Sequence, residues 1–139
     1  MMHLQEDQSF GIIPLKKEGN RWVTFIIRHK AGHWGFPKGH ADSPDENPRQ
    51  AAQRELAEET GLFVEKYLSD QSVSTVYMCM IHGKKVSKTV TYFLAQVGGD
   101  VHLCPQETID GMWIDVDCVG EKIIFAETEQ LIAEIKNLL

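Results

Sequence analysis

The sequence predicts an α+β fold in which a mixed β-sheet lies between helices. Three observations lead there. A helix-forming stretch, Pro48–Thr60, sits mid-chain between its own start and stop signals. Apolar and β-branched runs precede and follow it, and residues 127–139 carry helical apolar spacing. The order is strand, strand, loop, helix, three strands, helix. At 139 residues the chain is expected to form one domain, large enough for a real core and too short for two.

Residues 8–16 read as a first strand, with Pro14 suited to an edge or an irregular end. A turn at 17–20 leads into residues 22–27, which are apolar or β-branched almost throughout, as a strand buried on both faces requires. The two runs suggest a hairpin. Residues 32–40 hold three glycines, a proline, Trp34 and Phe36, the composition of a fixed loop with close backbone approach. Both aromatics suit plugs for the core. The central helix then declares itself: Asn47 is an N-cap, Pro48 fits the first helical position, Gln50 completes a capping box and Gly61 can close the last turn.

Beyond the helix, residues 72–81 and 86–95 form two strand-like runs joined through 82–85 as a hairpin. In the second run Val86, Lys88, Val90, Tyr92 and Leu94 share one face. Lys88 there is either a snorkelling lysine or a phosphate contact. Residues 98–100 turn, 101–103 read as a short strand and 111–115 as another. In the final helix Leu131, Ile132, Ile135, Leu138 and Leu139 make one apolar stripe. It is expected to cover the sheet rather than a dimer seam, so a monomer is expected.

The central helix carries the chemistry. At about 100° per residue, Glu55, Glu58 and Glu59 fall on one narrow face, which Ala51 and Ala52 leave unobstructed and Leu56 can anchor. A solvated acidic face is the bland alternative. It is disfavoured because Glu55 and Glu59 repel each other at i,i+4, acids sit poorly in the last turns of a helix, and no Lys or Arg follows at i+4. Clustered hard oxygens suit a divalent cation such as Mg²⁺.

The segment Arg54-Glu55-Leu56-Ala57-Glu58-Glu59-Thr60-Gly61-Leu62 resembles the second half of the Nudix box, G-x5-E-x7-R-E-U-x-E-E-x-G-U with U apolar. Gly39 matches its first glycine and Glu46 its first acid, at the family spacing from Arg54. Six residues rather than five separate Gly39 from Glu46, which reads as a one-residue insertion in the turn-forming loop 40–45. The resemblance implies an α/β/α sandwich and hydrolysis of a phosphoanhydride. Metal ligands are then expected at Glu55, Glu58, Glu59, the Gly39 carbonyl and Glu107, holding Mg²⁺, with Mn²⁺ as a substitute. Arg54 would tie the carboxylates together, Glu46 among them. Glu55 and Glu107 are both candidates for the base. Lys38, and in one reading His40, would meet phosphate oxygens; a structural role for His40 remains open.

Within that family the lead-in at residues 34–40, the run Lys88-Thr-Val-Thr-Tyr-Phe-Leu-Ala95 and a Glu before a Trp-containing strand (Glu107, Trp113) resemble the asymmetric diadenosine tetraphosphate hydrolases. Lys38 and Lys88 would line the polyphosphate, and Tyr77 or Tyr92 could stack on a base or simply pack in the core. A house-cleaning nucleoside triphosphate pyrophosphatase and a non-catalytic nucleotide sensor are the alternatives. The net charge of −6 argues against a nucleic-acid polymer or an anionic membrane as partner. Cys79, Cys104 and Cys118 form no C-x-x-C pair. They are expected to be free thiols. With no signal-peptide pattern at the N-terminus and no run of ~20 apolar residues, a cytoplasmic location is expected.

Overall fold

The computed structural model describes residues 4–139. Seven strands form one mixed sheet with a helix on each face. In chain order they are β1 (Gln5–Glu18), β2 (Arg21–His29), β3 (Trp34–Gly35), β4 (Lys38–Gly39), α1 (Pro48–Thr60), β5 (Phe63–Ile81), β6 (Lys84–Gly98), β7 (Thr108–Asp115), a 3₁₀ turn (Val116–Glu121) and α2 (Thr128–Leu138). Strands β3, β2, β1, β6 and β5 lie side by side, β4 also pairs with β1, and β7 with β2.

The expected hairpin forms, with Leu15 opposite Thr24 and Glu18 opposite Arg21. Strand β1 then leaves β2 and runs parallel to β6, from Gln5 beside Val86 to Leu15 beside Gln96. That parallel pairing makes the sheet mixed. It also leaves room between β1 and β2 for β4, whose Gly39 and Lys38 face Phe10 and Gly11. A side chain at Gly11 would meet the Pro37 carbonyl at 2.4 Å, so only glycine admits the loop this close.

Helix α1 has the predicted limits. The Asn47 side chain accepts from the Gln50 N–H at 2.9 Å and the Gln50 side chain accepts from the Asn47 N–H at 3.0 Å, while Gly61 closes the helix with φ 80°. Ala52 and Leu56 are fully buried with Ile12, Phe25, Ile27, Leu62, Ala95 and Val97, which seals α1 to one face of the sheet. On the other face Leu131, Ile132 and Ile135 of α2 pack with Ile13, Leu15, Ile26, Val73 and Leu94. Phe36 is buried in this second layer and Trp34 packs against it.

Several details differ from expectation. Pro14 lies within β1, an inner strand, opposite Ala95, and the loop 32–40 contains the short strands β3 and β4. Residues 101–103 form no strand; the His102 N–H instead donates to the Thr60 carbonyl at 2.7 Å, closing the end of α1. Strand β5 begins at Phe63 rather than 72, because register shifts between Val64 and Lys66 and between Tyr67 and Ser72 break its alternation. The 3₁₀ turn after β7 was not anticipated. Cys79, Cys104 and Cys118 are free and half-buried. Among the described residues no helix is long and apolar enough to cross a membrane.

Candidate active site

The site forms where β4 crosses the last turns of α1. The Lys38 backbone N–H donates to Glu59 Oε2 at 3.0 Å. One residue on, the Glu55 carboxyl lies so close to Gly39 that an added Cβ would stand 2.2 Å from its Cδ. The absent side chain of Gly39 is the space in which Glu55 sits. Glu59 is buried, whereas the Glu58 side chain is 55% exposed against 15% for Glu55. The three acids share the predicted face but not one environment.

Arg54 gathers the neighbours. Its Nε and Nη2 donate to Glu46 Oε2 and Oε1 at 2.9 and 3.2 Å, and Nη1 donates to Glu55 Oε1 at 3.0 Å and Glu58 Oε2 at 3.2 Å. Nη2 also donates to the His40 carbonyl at 2.7 Å, and Nε lies 3.1 Å from Asp42 Oδ2. The expected Arg54–Glu46 fork is therefore present. The inserted residue is absorbed by a turn in which the Asp42 N–H donates to Glu46 Oε1 at 2.8 Å. Arg54 in turn holds the Glu46 carboxyl below the usual carboxylate range.

Burial pushes Glu59 up to about 8, helped by the charge of Glu55; Glu55 is itself raised by burial. Glu107 adds to both shifts, so it approaches this pair from the loop before β7. Lys38 is pulled down by burial and by the nearby Lys88 ammonium. Buried acids crowded enough to hold protons are short of positive charge, and their hard oxygens suit a divalent cation. Among the described residues no three His, Cys, Asp or Glu side chains converge closely enough to cage an ion. Glu55 and Glu58 are drawn instead to Arg54, and Glu59 to the Lys38 N–H. The donor set fits Mg²⁺ in chemistry.

Lys38 joins this carboxylate site to a cavity of about 400 Å³ on the α2 face of the sheet. Val90, Tyr92, Ile123 and Leu131 contribute apolar walls, and His29, His33, Tyr77, Phe125 and Glu127 also line it. The His29 and His33 rings lie 5.0 Å apart, and Phe125 meets His33 edge-on at 5.9 Å. Burial lowers His29 to about 4, so its imidazole is neutral at pH 7. Tyr77 is half-buried. Tyr92 is buried and packs edge-on against Phe36 at 5.6 Å.

Of the residues singled out from sequence, Arg54, Glu55, Glu58, Glu59, Gly39, Lys38 and Glu107 come together at the end of α1. Lys88 lies by Lys38, and Tyr77 and Tyr92 are in the cavity wall. His40 meets Asp7: its Nε2 is 2.9 Å from that carboxylate, which also lies 3.7 Å from Lys88 Nζ. Asp7, His29, His33, Phe125 and Glu127 were not foreseen. Asp7 reaches the site only through the parallel β1–β6 pairing, which has no local signal. The histidines flank a tight turn in which the His29 N–H donates to the His33 carbonyl at 2.9 Å.

A NUDIX domain model matches residues 6–134. The asymmetrical bis(5'-nucleosyl)-tetraphosphatase of Rattus norvegicus is 30% identical over 125 residues, covering 86% of this chain and 83% of the rat protein. The 111R protein of Invertebrate iridescent virus 3 is 31% identical over 100 residues, 71% of this chain, and the match spans only 55% of the viral protein's length. The crystal structure of C. elegans Ap4A hydrolase superimposes with a TM-score of 0.73 at 25% identity, covering 96% of this chain and 98% of that one.

Proposed function

The chain belongs to the NUDIX family, and on that premise we propose that it hydrolyses a phosphoanhydride bond of a nucleoside polyphosphate, diadenosine tetraphosphate being cleaved to ATP and AMP. The observation that carries this reading is the double position of Lys38. Its backbone N–H is bonded to Glu59 and its side chain lines the apolar cavity. A nucleotide with its base in the cavity has its phosphates led past Lys38 and Lys88 toward the carboxylates. His33, Phe125 and Tyr77 offer the base aromatic surface, and the apolar walls favour a stacked ring over water. The names of the rat and nematode relatives support the same substrate class.

Glu55, Glu58 and Glu59, with the Gly39 carbonyl and Glu107 as further donors, would hold Mg²⁺ or, in its place, Mn²⁺. When bound, the ion supplies neutralisation of the anhydride oxygens and acidification of the attacking water. The protein's own groups do the rest. Arg54 orients Glu55 and Glu58 as a rigid fork, which Lys in its place would not reproduce. Glu55 or Glu107 takes the proton from water, and burial makes Glu55 a stronger base than an ordinary carboxylate. Lys38 and Lys88 balance charge on the departing phosphates as point charges.

The aromatic lining is gathered in one cavity, which makes a mononucleoside triphosphate the second reading. Product chromatography after incubation with Mg²⁺ and diadenosine tetraphosphate separates them. Equal ATP and AMP support the proposal; two ADP contradict it. No cleavage beside brisk hydrolysis of a nucleoside triphosphate favours the house-cleaning reading, and no hydrolysis of either favours a sensor.

A further inference from the structure

Strand β5 is the outer edge of the sheet, with β6 on one side and no described strand on the other. Its residues 72–81 include no charged side chain and no proline. The register with β6 runs unbroken from Ser72 opposite Phe93 to Ile81 opposite Lys84, all irregularities lying earlier. Along such an edge, alternate residues turn their N–H and C=O outward. Open edges are normally guarded by lysines, prolines or bulges, and residues 72–81 have none of them.

One face of the edge is apolar as well. Val76, Met78 and Met80 are 57%, 47% and 66% exposed. They lie in the rows of Thr89, Ser87 and Lys85. Charges gather only at the two ends: Asp70 before the stretch, Lys84 and Lys85 just past it, all exposed. An antiparallel pairing about a two-fold axis at Tyr77 sets Val76 opposite the partner's Met78. It also sets the Lys84 end of each strand against the Asp70 end of the other. A chain with net charge −6 thereby gains local attraction where it joins itself.

We propose that two copies of this chain pair edge to edge through residues 73–81 of β5, making one continuous sheet across a two-fold axis. The apolar rows then close over one another and the outward backbone groups are satisfied. Nine residues of each strand, 73–81, pair about that axis and make an interface smaller than a standard one, so dissociation on the order of micromolar to tens of micromolar is expected.

Sedimentation equilibrium of the full chain from about 1 to 200 µM reads this range of affinity directly. The expected result is a concentration-dependent monomer–dimer equilibrium. Met78→Lys and, independently, Met80→Lys should weaken it at least tenfold without changing the circular dichroism or the melting temperature. Lys84→Glu should weaken it as well, and adding Asp70→Lys to that variant should restore it. A monomer at every concentration overturns the proposal. So does a dimer indifferent to both methionine substitutions, or a charge swap that restores nothing.

Discussion

Replacing Gly39 with alanine probes the candidate site at its tightest point. The new methyl would meet Glu55 Cδ at 2.2 Å, where an ordinary contact begins at 3.4 Å, so the carboxyl must retreat by about 1.2 Å. Gly39 is tied to Phe10 by the β1–β4 ladder, and its φ is not left-handed, so the backbone has no reason to yield. The retreat breaks the 3.0 Å bond from Arg54 Nη1 or pulls Arg54 off Glu46. Misplacing a reacting group by 1 Å costs roughly 10²-fold in rate, or about 2.7 kcal/mol of transition-state stabilisation. Stability should change by under about 1 kcal/mol, since no cavity opens and no cap is lost. The assay pairs turnover of diadenosine tetraphosphate, followed as ATP and AMP, with thermal melting by circular dichroism. Adding Glu55→Asp shortens the displaced side chain, so the two losses should be markedly less than additive. A folded Gly39→Ala protein that turns over within threefold of wild type would refute the reasoning.

Further outcomes are expected. Glu58→Gln and Glu59→Gln should each lower the rate by about 10²-fold or more while the fold survives, and near-wild-type turnover by both at saturating Mg²⁺ would remove the carboxylate site. Glu107→Gln should reduce kcat far more than it raises KM; a silent change makes Glu107 a surface acid. Glu59 titrates near 8 when folded against 4.5 in the open chain. The native state thus binds the extra proton between these values, and its contribution to stability, full below 4.5, is lost as pH rises toward 8. His29, lowered to about 4, acts in the opposite sense, its contribution being lost as pH falls from 6.5. Above pH 6.5 its slope is gone. The melting temperature of metal-free protein between pH 6.5 and 8 should therefore fall in the wild type and fall less in Glu59→Gln; parallel curves would exclude Glu59 as the cause.

What was legible in the sequence was local. Helix α1 is bounded by Asn47, Pro48, Gln50 and Gly61, each acting within one turn, and the structure places its ends where those residues put them. The Arg54–Glu46 fork was implied by the resemblance to the Nudix box, to which both residues belong. The cavity did not. It assembles His33 from a turn, Tyr77 and Tyr92 from two strands and Phe125 from the approach to α2, and nothing local announces that they meet. Residues 101–103 misled because β-propensity says nothing about partners: the His102 N–H is spent on the end of α1. Residues 63–71 escaped because two register shifts scramble the period on which strand reading depends.

The parallel seam between β1 and β6 has a consequence for the chain as it is made. Gln5 pairs with Val86, eighty-one residues downstream. At roughly 5–20 residues per second, β1 leaves the ribosome some 4–16 seconds before its partner exists. In that interval β1 has two pairings open to it, the short hairpin with β2, from Leu15–Thr24 to Glu18–Arg21, and the two-residue ladder to β4 at Phe10 and Gly11. Ile13, fully buried in the finished protein, must wait for Leu94 and for α2 before it is covered. The acids of α1 are synthesised during the same wait, so the helix can form before the sheet it packs on is complete. Folding should therefore end with β6 closing along β1, and the cluster of Asp7, Lys38 and Lys88, which needs that seam, should be the last part of the molecule to acquire its shape.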